Sequence, residues 1–372
     1  MADVKSLLNE FEDISKNPAK LLKDYIAAGE KVIGCMYFTP QPIVTALGMV
    51  PMGLWGGQIN PQVAGKYAPI FTCSILRSCL ELGMTGKYDG LSAVMMPILC
   101  DTFRGTCGAW RQGVDIQLIP FVHPQNRKDP GAVDYLIEEY KYVKEKLEEI
   151  AGKTCTDAEL KTAIRLHNEK NRVMREFCNV VNQHLDVVNA VDRHHVLKAA
   201  AFMKPEAIIE KVSALTDALR SLPEYNWTGK KVILTGITAE PDELLDGFVR
   251  NHVAVVGDDV MAESRMYATD YPAANSSMES LALQWFNIKG CSVCHDDDAY
   301  ARGNHLVAMA KEQQVDAVVY CLMRFCDTEE YDQPYVLKTV QEAGIMAFSI
   351  DIDQSTADSG QALTKIQAFA EN

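Results

Sequence analysis

Two doubly wound, parallel-sheet α/β domains joined by a helical segment are what this sequence predicts, on three observations. Residues 30–124 and 229–353 both alternate short apolar runs with turn residues and short helical patterns, the rhythm of parallel βαβ units. The two regions also follow one plan in the same order. Between them, residues 130–222 are charged and helical, with few breaks.

The first region opens with KVIGCMYFTPQPIVTALGMVPMGLWGG (31–57) and the second with KVILTGITAEPDELLDGFVRNHVAVVGDD (231–259). Each reads as strand, loop, proline-initiated helix, second strand and turn. Next, YDGLSAVMMPILCDT (88–102) corresponds to VDAVVYCLMRFCDT (315–328), an apolar strand running into Cys-Asp-Thr. A helical stretch, a glycine (Gly113, Gly344) and a last strand follow in both, within 114–124 and 345–353. That gives about four strands per domain, in the manner of Rossmann or flavodoxin-like sheets. In the middle stretch, residues 134–150 set apolar side chains at helical spacing. Thr156 and Glu159 form a capping box ahead of the next helix, and Pro205 opens a further one that ends near Leu222-Pro223. The expected units are 1–129, 130–228 and 229–372.

A length of 372 residues fits two or three domains. The net charge of −14 argues against nucleic acid as a partner, because phosphate binding needs concentrated Lys and Arg. No apolar run approaches the roughly 20 residues of a membrane span. The start, MADVKSLLNEFEDISK, has no basic stretch and no apolar signal core. A cytoplasmic chain without membrane or nucleic-acid partners is expected.

Eleven cysteines point to metal or redox chemistry, since a cytoplasmic chain has no need of disulfide staples and the count is odd. Ligands of open parallel sheets bind beyond the carboxyl ends of the strands. Cys100 and Cys326 both stand there, each followed by Asp-Thr. Cys73 begins the helix leading into the first Cys-Asp-Thr strand, where free N–H groups and a positive dipole end favour thiolates. Cys79, about 120° further around that helix, is expected in the core. Cys107 lies two turns past Cys100, Cys321 corresponds to Met95 inside a strand, and Cys35 closes the first strand, where it could line a site. Cys291-Ser-Val-Cys294 is a lone CxxC without the second pair that a zinc ribbon or ferredoxin cluster requires. Cys155, Cys178, His184, His194 and His195 carry no chemical signal. Gly56-Gly57 reads as a turn. The chain lacks GxxxxGK[ST], GxGxxG, HExxH and GxSxG patterns, so ATP hydrolysis and hydrolase chemistry have no support. Three thiolates from distant loops suit an iron–sulfur cube with one open iron better than a closed zinc site.

Six segments together resemble the 2-hydroxyacyl-CoA dehydratase family, and its smaller beta subunit in particular. They are CSILRSCLELG (73–83), CDTFRGTCGAW (100–110), HPQNRK (123–128), VVGDDVMAESR (255–265), FCDTEEYD (325–332) and IDIDQSTADSGQALTKIQAFAE (350–371). The resemblance implies an oxygen-sensitive hydro-lyase of anaerobes with a [4Fe-4S] cluster on three cysteines. By the family's motifs these are Cys73, Cys100 and Cys326, with Cys107 and Cys321 as alternates for the latter two. Trp55, Arg77 and Arg104 would lie nearby. It also implies an alpha-subunit partner, an ATP-hydrolysing iron–sulfur activator and a 2-hydroxyacyl-CoA substrate. One injected electron then drives ketyl-radical dehydration to the (E)-2-enoyl-CoA, and the beta subunit relays it. Two alternatives stay open: a homodimeric reductase of small substrates with a double-cubane cluster, drawing on Cys35, Cys107 and Cys321, and a non-catalytic assembly protein.

Overall fold

The computed structural model of the chain describes residues 3–294, 298–354 and 359–372. Helices α1 (Val4–Lys16) and α2 (Pro18–Ala27) precede the first sheet. That sheet is built by β1 (Val32–Cys35), α3 (Gln41–Ala46), β2 (Val50–Gly53), α4 (Ser74–Met84), β3 (Ala93–Ile98), α5 (Asp101–Gly113) and β4 (Leu118–Val122). Four helices follow: α6 (Ala132–Ala151), α7 (Asp157–Val181), α8 (Ala190–Phe202) and α9 (Pro205–Arg220). The second sheet contains β5 (Lys230–Gly236), α10 (Asp242–Arg250) and β6 (Val253–Val260). After α11 (Arg265–Ala268), α12 (Ser277–Asn287) and α13 (Ala301–Gln313) come β7 (Ala317–Met323), α14 (Asp327–Glu342), β8 (Met346–Ile352) and α15 (Gly360–Glu371).

Both sheets are parallel and four-stranded, with orders β2-β1-β3-β4 and β6-β5-β7-β8, so the expected α/β class holds. The shared plan extends to the ladder. Cys35 pairs with Met95 in one sheet as Gly236 pairs with Cys321 in the other, so Cys321 does take the place of Met95. Gly236 adopts φ +146°, and a Cβ there would sit 2.4 Å from the Cys321 carbonyl oxygen, so only glycine fits. Strands β1, β2 and β6 are buried along their whole length; β1 and β2 carry no charge, as strands between helical layers usually do not, whereas β6 buries Asp258 and Asp259. In each sheet the winding direction reverses between the first and third strands, which opens a crevice at their carboxyl ends.

The capping box at α7 forms as expected: Glu159 N–H donates to Thr156 Oγ1 at 3.3 Å, and Thr156 N–H to Glu159 Oε2 at 2.8 Å. Pro205 occupies the first turn of α9. Helix α8 has no counterpart in the sequence reading. Its side chains are apolar or buried nearly all round, so it lacks the one-sided stripe that marks a surface helix.

Candidate functional site

Three helices begin directly after a cysteine. Cys73, Cys100 and Cys326 are the N-cap residues of α4, α5 and α14, and none makes a side-chain capping bond of the usual oxygen type. Their sulfurs instead face first-turn N–H groups: that of Leu76 for Cys73, those of Phe103 and Thr102 for Cys100, and that of Glu329 for Cys326. The Thr328 hydroxyl lies 3.5 Å from Cys326 Sγ. All three thiols are half-buried and free. Phe325, at φ +63°, turns the chain after β7 so that its own ring is exposed while Cys326 points inward.

Cys73 feels the charge of Cys100, and Cys326 feels that of Cys73. Burial pushes the Cys73 thiol up to about 12, and a charge on Cys100 would raise it further. Burial also raises Cys326, with Glu329 and then Cys73 adding to the effect. Cys100 is raised by burial as well, against the pull of its backbone donors. Unliganded, all three are therefore protonated thiols at neutral pH, and a bound cationic centre would be needed to ionise them. Among the described residues no three His, Cys, Asp or Glu side chains surround one point closely enough to hold a single metal ion. Ligands of a four-iron cube bind separate irons and stand further apart than ligands of one ion. Three thiols at positive helix ends, each with an N–H donor, are a donor set that such an anionic cluster fits.

None of the other cysteines discussed below begins a helix in this way. Cys107 is buried on α5, with Arg111 as its only charged influence, and Cys321 is fully buried within β7, influenced by Glu263, Glu329 and Asp258. Cys79 is fully buried, as expected. Cys35 lies at the end of β1 beside a small cavity of about 20 Å³ that Lys170 and Trp55 also line. Trp55 is buried against Phe202 and Tyr37, with ring centroids 6.2 and 6.1 Å away. Arg77 and Arg104 each sit one helical turn beyond Cys73 and Cys100, with backbone N–H bonds to those residues' carbonyls. The buried Nε of Arg77 has no hydrogen-bond partner among the described residues.

Sequence reasoning missed the polar group that ties the crevice together. Gln354, two residues past β8, donates from its side chain to Trp55 O (2.9 Å) and Glu240 Oε2 (2.6 Å). Its backbone N–H donates to Ser74 Oγ, next to Cys73, at 3.1 Å. Glu240 pairs with Lys198, and His194 lies between Glu263 (2.9 Å) and Glu240 (3.5 Å). Burial would lower the His194 pKa, but the two carboxylates outweigh it and lift the imidazole to about 9. Glu240 is held well below the usual carboxylate range, because Lys198 and His194 overcome its burial. One signal was available: Glu240 ends the loop after β5, at the carboxyl edge where ligands of parallel sheets gather.

This group borders a cavity of about 460 Å³ with an apolar wall that includes Leu22, Leu54, Leu91 and Phe202, and a polar end formed by Lys198, Glu240, His195 and Asp242. Ser15 Oγ stands 2.6 Å from His195 Nδ1, and His195 Nε2 stands 3.3 Å from Asp242 Oδ2. The arrangement has the parts of a nucleophilic triad, but Ser15 Oγ also donates to the Glu12 carbonyl at 2.9 Å. Its proton is thus spent on α1, and His195 acts as a brace between α1, α8 and α10.

Residues 36–372 match the family described as 2-hydroxyglutaryl-CoA dehydratase, D-component. The chain belongs to the 2-hydroxyglutaryl-CoA dehydratase D-component family. Three relatives within this dehydratase group align along essentially their full length. The (R)-phenyllactyl-CoA dehydratase beta subunit of Clostridium sporogenes is 38% identical over 374 residues, covering 100% of both chains. Lactoyl-CoA dehydratase subunit beta of Anaerotignum propionicum is 36% identical, again over 100% of both. The beta subunit of (R)-2-hydroxyglutaryl-CoA dehydratase from Acidaminococcus fermentans is 34% identical over 99% of each. All three are hydro-lyase subunits of the beta type, in line with the resemblance read from the motifs. Among the described residues no helix is long and apolar enough to cross a membrane.

Proposed function

We propose that this chain is the beta subunit of a cytoplasmic (R)-2-hydroxyacyl-CoA dehydratase that works with an alpha subunit and an ATP-hydrolysing iron–sulfur activator. Cys73, Cys100 and Cys326 would hold its [4Fe-4S] cluster. When bound, that group supplies a one-electron relay for the dehydration of the CoA thioester. The observation that carries the reading is the common placement of three free thiols at the N-termini of α4, α5 and α14. The chain's own contribution is to aim N–H donors at each sulfur, to hold Cys73 in place through Ser74 and Gln354, and to set Arg77 one turn away. Burial of the sulfurs keeps water from competing for them.

Iron and acid-labile sulfide per chain, after strictly anaerobic purification, test the proposal. About four of each are expected. Replacing Cys73, Cys100 or Cys326 by Ser should lower the iron content of a still-folded chain, whereas Cys107→Ser and Cys321→Ser should leave it unchanged. About eight irons would favour a double-cubane reductase instead, although Cys35, Cys107 and Cys321 are occupied in packing. A folded chain that binds no iron would sink the proposal.

A further inference from the structure

Tyr37 carries a hydroxyl that the fold buries and leaves unused. The residue lies two positions past β1, at the carboxyl edge where the crevice of the first sheet opens. Met36 N–H donates to the Met95 carbonyl at 3.2 Å and so carries the ladder up to its neighbour. Phe38 then takes φ +56°, a left-handed value that an aromatic residue rarely adopts. The Thr39 hydroxyl closes this turn by donating to the Met36 carbonyl at 3.0 Å. The turn parts the two rings. Phe38 packs edge-on against Trp285 at 5.4 Å, and Tyr37 lies against Trp55 at 6.1 Å. Phe325 makes a comparable turn, at φ +63°, just before Cys326. Backbone strain of this kind gathers where a site requires it.

Tyr37 is 3% exposed, and its hydroxyl has no hydrogen-bond partner among the described residues. A phenylalanine would pack as well without leaving a buried hydroxyl unpaired. The second sheet repeats the pattern. Cys35 and Gly236 hold matching places in their ladders, as do Pro40 and Pro241 at the N-caps of α3 and α10, so Tyr37 corresponds to Thr238. Thr238 is buried too, with an unpartnered hydroxyl of its own. The charges that the Tyr37 phenol feels are those of Cys79, Glu240, Cys73 and Cys326. Two of these groups are already engaged. Cys79 faces the Tyr88 hydroxyl, while Glu240 has Lys198 and His194 on one carboxylate oxygen and Gln354 on the other. The sulfurs of Cys73 and Cys326, with whatever they hold, are what remains.

We propose that the Tyr37 hydroxyl donates a hydrogen bond to the iron–sulfur group held by Cys73, Cys100 and Cys326, and thereby sets how readily that group is reduced. The inference rests on the cluster reading given above. Reduction adds a negative charge to an anionic centre, and a donor stabilises the reduced form more than the oxidised one. Tyr37 transfers neither proton nor electron in this role. It biases how long the relayed electron resides on this chain.

The test is a redox titration of the full chain, purified anaerobically and followed by electron paramagnetic resonance. Tyr37→Phe should keep its iron and sulfide while the ratio of reduced to oxidised cluster at a fixed potential falls about tenfold, a midpoint about 59 mV more negative. Site-specific replacement of Tyr37 by 3-fluorotyrosine, a stronger donor of nearly the same size, should shift the midpoint the other way. Tyr140→Phe removes a buried phenol that already bonds His123 at 3.0 Å, and should leave the midpoint in place. In deuterated water, double resonance on the native chain should detect an exchangeable proton coupled to the reduced cluster, and Tyr37→Phe should lose it. Full iron with an unmoved midpoint in Tyr37→Phe would overturn this inference and leave the cluster reading standing. So would a fluorinated chain whose midpoint stays put or moves negative. A native chain without iron would remove the cluster reading and this inference with it.

Discussion

The two halves of the molecule share a strand order yet support their cysteine corners by opposite means. In the N-terminal half, the helix behind Cys100 rests on apolar packing: Phe103, Cys107, Ala109 and Trp110 are buried. Behind Cys326, the matching helix rests on charge. Arg302 donates to Glu329 (2.9 Å), Asp332 (2.7 Å) and the hydroxyl of Tyr320 (2.9 Å), and through Nη2 to Thr235 (2.9 Å). Arg265 holds Asp259 beside it, and Arg193 holds Asp258 at 2.5 Å. The same topology therefore fixes the same Cys-Asp-Thr corner either with a dry core or with a buried ion network. The difference teaches where each half is fragile. An apolar wall yields by degrees as methylenes are removed, whereas an ion network fails when one partner leaves its counter-charge unpaired.

The largest effect should separate these two modes. Arg302→Met takes the paired cation from the buried Glu329 and from Asp332 and should cost about 3–5 kcal/mol in urea unfolding. The double variant Arg302→Met/Glu329→Leu should recover much of that loss. Equal stability of the single variant and the native chain would erase the contrast between the halves.

The next effect is a pH dependence confined to the charged region. His194 is raised to about 9 from an ordinary value near 6.5, so its contribution is complete below about 6.5 and is lost as pH rises through about 9. The span corresponds to about 3 kcal/mol, with Glu263, Glu240, Lys198 and Arg193 as the charges that set it. Unfolding midpoints in urea from pH 6 to 9.5 should trace this decline, and His194→Gln should flatten it. A native chain equally stable at both ends would contradict the ion-network account.

The smallest effect belongs to the first sheet. Gly56 takes φ +69°, and a Cβ there would meet Ser78 Cβ at 2.8 Å and Gln354 Oε1 at 2.9 Å. Gly56→Ala should cost about 1–2 kcal/mol, read by thermal unfolding, with no change in pH dependence. A neutral substitution would mean that the wall near Trp55 is looser than its packing indicates.

What was legible in the sequence follows the same divide. The strands, the proline-led helices and the Cys-Asp-Thr corners are local patterns, because a buried parallel strand must be apolar and a helix start needs a capping residue at a fixed place. The position of Cys73, Cys100 and Cys326 at helix starts could be read for that reason, and the burial of Cys79 from helical spacing alone. Helix α8 escaped because a helix buried on nearly all sides shows no stripe. The Glu240–Lys198–His194 group escaped because charged residues usually read as solvated surface, and only tertiary contact reveals them as buried. Gln354 lies 280 residues from Ser74 in the chain, and no local rule connects them. Residues 295–297 and 355–358, which fall within segments read from the sequence, lie outside the described residues.

That long-range link has a consequence for how the protein is made. On the ribosome, Cys73 and Cys100 emerge early and meet Cys326 only after more than half the chain has followed. Gln354, which anchors Ser74 beside Cys73, is translated later still, 280 residues after Ser74. A nascent chain thus carries its first two thiols through most of synthesis with the third corner and its brace missing. The crevice therefore closes only once a residue 280 positions after Ser74 has folded back onto it.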